Sequence, residues 1–126
     1  MTLRLDYWGA LDELVAGSRV IIDRPRGSRH PRYPDFTYPL DYGYLEGTTS
    51  GDRQGIDVWV GSRDDRSVTG VVMAVDLEKR DAELKVLLGC TPDEMRLVHS
   101  VHQDERCGAI LVERAPGDPL SREGEG

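Results

Sequence analysis

Four aspartates stand in two pairs of equal spacing, Asp52 with Asp57 and Asp76 with Asp81, and each pair spans a turn. Carboxylate oxygens are hard ligands, and a cluster of them selects Mg2+, Mn2+ or Ca2+ over zinc. Two such cations side by side bind a phosphoryl oxygen and lower the pKa of a water between them. Aspartate is also favoured in turns for its own local hydrogen bonds, so a chain with 23 acidic residues holds some such pairs as plain solvated turns. Asp57 departs from that pattern. Ile56, Val58 and Val60 alternate with Asp57 and Trp59, the period of a half-buried strand, which puts Asp57 on the face opposite the aliphatic one. A second group is cationic: Arg24, Arg26, Arg29 and Arg32 share one Pro-rich stretch of an acidic chain. Planar guanidinium groups suit phosphate oxygens; the other reading of the stretch is a solvated loop with local ion pairs.

The elements that must position these residues follow from periodicity and punctuation. Residues 1–17 read as a helix that Asp6 can cap, with Tyr7, Leu11, Leu14 and Val15 at helical spacing. Strands are expected at 19–23, 56–60, 68–75, 82–88 and 109–112, the middle two of the later four joined as a hairpin with charges at its tip. The run from Arg24 to Pro39 cannot be regular helix, because its prolines remove donors and restrict the residues before them. Thr91-Pro92-Asp93-Glu94 is a strong helix start: a capping threonine, a proline in the first turn and a glutamate to complete a capping box. That helix is expected to run to about Glu105. Within it His99 and His102 are three apart, a spacing open to zinc but more in keeping with a packed histidine on the apolar side. His30, in the Arg-rich stretch, is a candidate acid, base or phosphate donor.

At 126 residues the chain suits one domain, residues 1–114, followed by a tail over 115–126 with too little apolar content to order itself. A net charge of −7 argues against a nucleic-acid partner read through a basic surface. It leaves a small anionic substrate open, because bound cations reverse the local sign of an acidic site. No apolar run has the length of a membrane span. Cys90 and Cys107 have neither zinc-ligand spacing nor a disulfide framework, so a reduced, cytoplasmic setting is the expectation.

Taken together, the run Tyr38 to Tyr44 (YPLDYGY), then Asp52 and Asp57, then Asp76 and Asp81, resembles the soluble family I inorganic pyrophosphatases. That family shows YPxxYGY, DGDPxD and Dx4DxK in this order at similar spacing. The resemblance covers roughly Val20 to Leu88. It implies an α+β fold, a small OB-like five-stranded β-barrel with flanking helices, and Mg2+-dependent hydrolysis of pyrophosphate, with Mn2+ as a second metal. By the same resemblance Asp52, Asp57, Asp76, Asp81 and Asp23 would hold metal, and Tyr42, Arg32 and Lys85 would hold phosphate. Asp57, Tyr42 and Gln54 would carry the chemistry. Gln54 stands where the family has the middle aspartate of DGDPxD, and Glu83 where it has the lysine of Dx4DxK. A glutamine can orient a water but cannot take its proton, and general-base help is worth about 10²–10⁴-fold. The alternative is therefore a pyrophosphatase-fold protein turned to a larger substrate or to a non-catalytic binding role. A homo-oligomer is expected.

Overall fold

The computed structural model describes residues 5–51 and 54–115. Eight elements follow in order: α1 (Tyr7–Ala16), β1 (Val20–Arg24), β2 (Asp41–Leu45), β3 (Ile56–Val60), β4 (Val68–Asp76), β5 (Asp81–Leu88), α2 (Pro92–Val101) and β6 (Cys107–Glu113). The strands form one sheet in the order β1-β2-β3-β5-β4-β6. Neighbours are antiparallel except β3 and β5, which run parallel because the β4–β5 hairpin folds back and inserts its second strand beside β3.

The expected five-stranded barrel is thus a six-stranded sheet that stays open, with β1 and β6 as its edges. The added strand is β2, Asp41 to Leu45, within the Tyr/Gly motif itself. A glycine at its centre hides the strand, since glycine weakens strands. Here the glycine is required. A Cβ on Gly43 would lie 1.8 Å from the Ile21 carbonyl oxygen of β1. Only a residue without a side chain lets the two strands meet in their register, Ile22 opposite Gly43.

Each face of the sheet carries its own core. On one, α1 brings Leu11 against Leu45, Val58, Val71, Val86 and Leu88. Asp6 caps this helix by accepting from the Gly9 N–H at 2.7 Å, and Arg114 secures it through a pair of bonds to the Asp12 carboxylate at 2.8 and 2.9 Å. On the other face, α2 brings Met95 and Val98 against Trp59, Val72, Leu87 and Cys90, and the 25–40 loop adds Tyr38 and Leu40. The Thr91–Glu94 capping box forms as the sequence predicts. The helix stops at Val101, short of Glu105, because Asp104 turns the chain by accepting from the Arg106 and Cys107 N–H groups. That turn starts β6 at Cys107, two residues earlier than its apolar run. The tail proposed for 115–126 and the first residues of the N-terminal helix fall largely outside the described residues, as does Asp52. No helix among the described residues is long and apolar enough to cross a membrane.

Replacing Gly43 by alanine forces β1 away from β2. The expected loss is at least about 3 kcal/mol, the upper end for overpacking, read as a fall in the urea midpoint of the Gly43→Ala variant; an unchanged midpoint would contradict the close approach.

Candidate active site

The charged candidates meet on the Trp59 face, where β2, β3 and β5 lie side by side. Asp57 and Lys85 are partners in the parallel β3–β5 register. Strand alternation puts Glu83 on the same face as Lys85. The Lys85 ammonium is 2.6 Å from Asp57 Oδ2, 2.9 Å from Glu83 Oε1 and 3.0 Å from the Tyr42 hydroxyl oxygen, to all of which it donates. Among the described residues Lys85 is the one charged residue that is buried, at 7% exposure. Burial alone would drive its pKa down; the Tyr42 oxygen and the Asp57 carboxylate outweigh burial and hold it above the ordinary lysine value, so the amine stays charged. Burial pushes the Tyr42 hydroxyl well up, and the Lys85 charge offsets that only in part. Tyr42 is therefore a neutral phenol.

Two cavities open beside this cluster, and Tyr42 lines both. The first, about 220 Å³, takes Lys85, Glu83, Asp81, Asp76 and Lys79 from the β4–β5 hairpin. The second, about 430 Å³, takes Asp23, Gln54 and Asp57. The candidate residues are thus brought together in two groups. Asp57, Gln54, Tyr42 and Asp23 share one cavity; Asp76, Asp81, Lys85 and Tyr42 share the other. Arg32 lies exposed in the 25–40 loop, where its backbone N–H donates to His30 Nδ1 at 3.0 Å.

Sequence reasoning treated two histidines as secondary, and both line the first cavity. His102 Nε2 accepts from the Trp59 indole N–H at 3.1 Å, which leaves the ring proton on Nδ1. Burial, helped by the Lys85 charge, lowers its pKa to about 4. His30 Nδ1 accepts from the Arg32 and Tyr33 N–H groups at 3.0 and 3.2 Å, which leaves its proton on Nε2. Burial and the charges of Arg24, Lys79 and Arg32 hold its pKa below the usual value. Each is a neutral imidazole with one N–H to offer. His99 is instead occupied with the Ala109 carbonyl at 2.9 Å. The pattern that could have flagged His102 is its place one residue past the last turn of α2, facing a strand tryptophan, which only the tertiary fold supplies.

The donor set does not form a metal cage. Among the described residues no three His, Cys, Asp or Glu side chains are close enough to hold an ion. The position between Asp57 and Glu83 is filled by the Lys85 ammonium. Asp76 accepts from the Lys79 and Glu78 N–H groups of its own turn at 3.0 and 2.9 Å, which lowers its pKa. As they stand, the described carboxylates do not fit a resident divalent cation.

No family model matches the chain, and no curated protein matches it. Solved structures do. An inorganic pyrophosphatase from Coxiella burnetii is similar at a TM-score of 0.51 and 16% identity, over 84% of this chain and 89% of that one. A protein described as an inorganic phosphatase, from Anaplasma phagocytophilum, is similar at a TM-score of 0.52 and 16% identity, over 75% of this chain and 81% of that one. The fold is pyrophosphatase-like. That similarity rests on backbone, and it leaves the chemistry to this chain's own residues.

Two outcomes follow from the cluster. Lys85→Met leaves the half-buried Asp57 and Glu83 carboxylates without their cation and is expected to cost up to roughly 3 kcal/mol, the low end of the loss for a fully buried pair, measured by chemical denaturation; adding Glu83→Gln should recover part of it, and no recovery would argue against their electrostatic coupling. His102 has a folded pKa below that of the unfolded chain, so unfolding takes up a proton. Its contribution is complete above about pH 6.5 and is lost as pH falls toward about 4, with a slope of up to about 1.4 kcal/mol per pH unit. A His102→Gln variant, which can still accept from Trp59, should show a flatter stability profile over that window.

Proposed function

We propose that the protein is a hydrolase of pyrophosphate or a related phosphoanhydride, taken up as its Mg2+ (or Mn2+) complex, with the metal arriving on the substrate. The observation that carries this reading is that Lys85, Tyr42, His30 and His102 all line one cavity of a pyrophosphatase-like fold. Donors fixed in a poorly hydrated site stabilise charge that develops on phosphoryl oxygens, without reorganising as it develops. In this reading Lys85 supplies the permanent charge, and Tyr42 and the imidazoles supply hydrogen bonds. Asp81 and Asp76 meet the substrate's cation at the cavity wall. Asp57, with Gln54, holds the attacking water from the adjoining cavity, and Glu83 or Asp81 takes its proton. Arg32 and its neighbours guide the anion inward from the loop. A cytoplasmic role and self-association belong to the same reading.

Phosphate release from Mg2+-pyrophosphate by the purified protein tests it. Wild type should exceed Asp57→Asn and Tyr42→Phe by roughly tenfold or more, of the size that one lost transition-state donor brings, with circular dichroism verifying that the variants fold. Release no greater from wild type than from folded Asp57→Asn would overturn the proposal.

A further inference from the structure

The first cavity is built in two chemically distinct parts. Its charges come from the β4–β5 hairpin: Asp76, Lys79, Asp81, Glu83 and Lys85. Much of its remaining wall is aromatic and comes from the 25–40 loop, β2, β3 and the residue after α2, with Ala74, Val75, Val101 and Cys107 completing it. The rings form an unbroken series. His30 meets Phe36 at 6.4 Å and Tyr38 at 6.1 Å, the latter stacked at 10°. Phe36 meets Tyr38 edge-on at 5.0 Å, Tyr38 meets Tyr42 and Trp59, and Trp59 meets His102. Phe36 is half-buried, so this ring keeps surface to offer a ligand.

Phe36 has no polar atom to give a pyrophosphate oxygen, and that anion would have to shed water against it, whereas a planar aromatic group gains stacking and edge contacts there. Proteins that bind nucleotides without reading their edges use this combination of cations for phosphates and rings for bases. Room for a larger ligand is present as well. An adjoining groove of about 530 Å³ shares His30, Phe36, Asp76 and Cys107 with the cavity. The charges of Arg24, Lys79 and Arg32 act on His30, while the groove's own charged lining is Asp76, Glu78, Asp104 and Glu105 with Arg106.

We infer that the substrate of this cavity is an organic phosphoanhydride, in which a planar aromatic group such as a nucleobase is joined to the phosphates, rather than free pyrophosphate. The inference rests on the hydrolase reading above and names its substrate class. The phosphates lie against Lys85 and Lys79, and the aromatic group lies against Phe36. Water bonds to the terminal phosphorus, and the bond from that phosphorus to the bridging oxygen breaks. The electron pair stays on the bridging oxygen, which leaves with the organic fragment, and the proton lost by water ends on the released phosphates.

The test compares ADP, pyrophosphate and adenosine, the first two as Mg2+ complexes, by calorimetric titration of the full chain and by phosphate release. ADP should bind about tenfold or more tighter than pyrophosphate, and adenosine weakly. Phe36→Ala should reduce the ratio of ADP to pyrophosphate affinity about tenfold, and Phe36→Trp should restore it. Pyrophosphate hydrolysed with no preference for ADP in binding would overturn this inference and leave the hydrolase reading standing. Binding of neither would overturn both. An equal loss for both ligands in a folded Phe36→Ala protein would overturn the assignment of the aromatic wall.

Discussion

A single buried ammonium sets the terms for the rest of the site. An isolated charge at the depth of Lys85 would be expelled or neutralised. It survives because three adjacent strands each deliver a partner: Tyr42 from β2, Asp57 from β3 and Glu83 from its own strand, β5. The contacts with Tyr42 and Asp57 do not form unless β5 inserts parallel to β3 in the register that sets Asp57 opposite Lys85. A slip of one residue would turn Lys85 toward the aliphatic face. The cluster thus penalises wrong registers more than it stabilises the right one, since desolvation offsets much of what a buried ion pair gains. It also fixes the electrostatics of the cavity. Two carboxylates and one ammonium leave a formal excess of one negative charge, and the ammonium occupies the point between the acids where an external cation would otherwise sit.

The aromatic surround follows from the same constraint. Trp59 and Tyr42 pair across β2 and β3, with ring centroids 4.6 Å apart, directly beside the charged group. Rings exclude water, and a lower local dielectric strengthens every hydrogen bond that Lys85 makes while raising the penalty for an unmade one. His102 experiences both effects. It is too buried to be charged easily, and the nearby ammonium opposes its protonation further. It remains a neutral donor at pH values where an exposed histidine would titrate, so it adds no charge to the carboxylates and ammonium beside it.

Much of this was legible in the residues, and what was not has identifiable causes. Periodicity located β3 at its observed limits, placed the β4–β5 hairpin with its charged tip, and read the capping box of α2 from four residues. Alternation in β3 put Asp57 on the ring-bearing face. β2 was hidden because Gly43 lowers the strand signal of Asp41 to Leu45, and the reason for that glycine is a backbone approach from β1, a contact distant in sequence. The closed five-stranded barrel came from the family resemblance; the sheet has six strands and stays open. The even spacing of Asp52, Asp57, Asp76 and Asp81 suggested a single metal site; Asp52 lies outside the described residues, and among them Asp57 bonds Lys85 and Asp76 its own turn. A sequence shows which carboxylates lie near one another on strands; it does not show which cation reaches them first.

The two parts of the cavity depend on different kinds of order. The charges sit on a hairpin that keeps one register from Gly70 opposite Leu87 to Asp76 opposite Asp81. The rings of His30, Phe36 and Tyr38 sit on a loop that folds on itself as a short ladder. Gly27 donates to the Tyr38 carbonyl, Tyr38 to Ser28 and His30 to Phe36, around a bridge between Arg29 and Thr37. Loops tolerate substitution where a paired strand does not. The rings and the charges of the cavity are therefore carried by separate segments of the chain, a loop and a paired hairpin, so that in a short protein with one core on each face the two are under separate structural control.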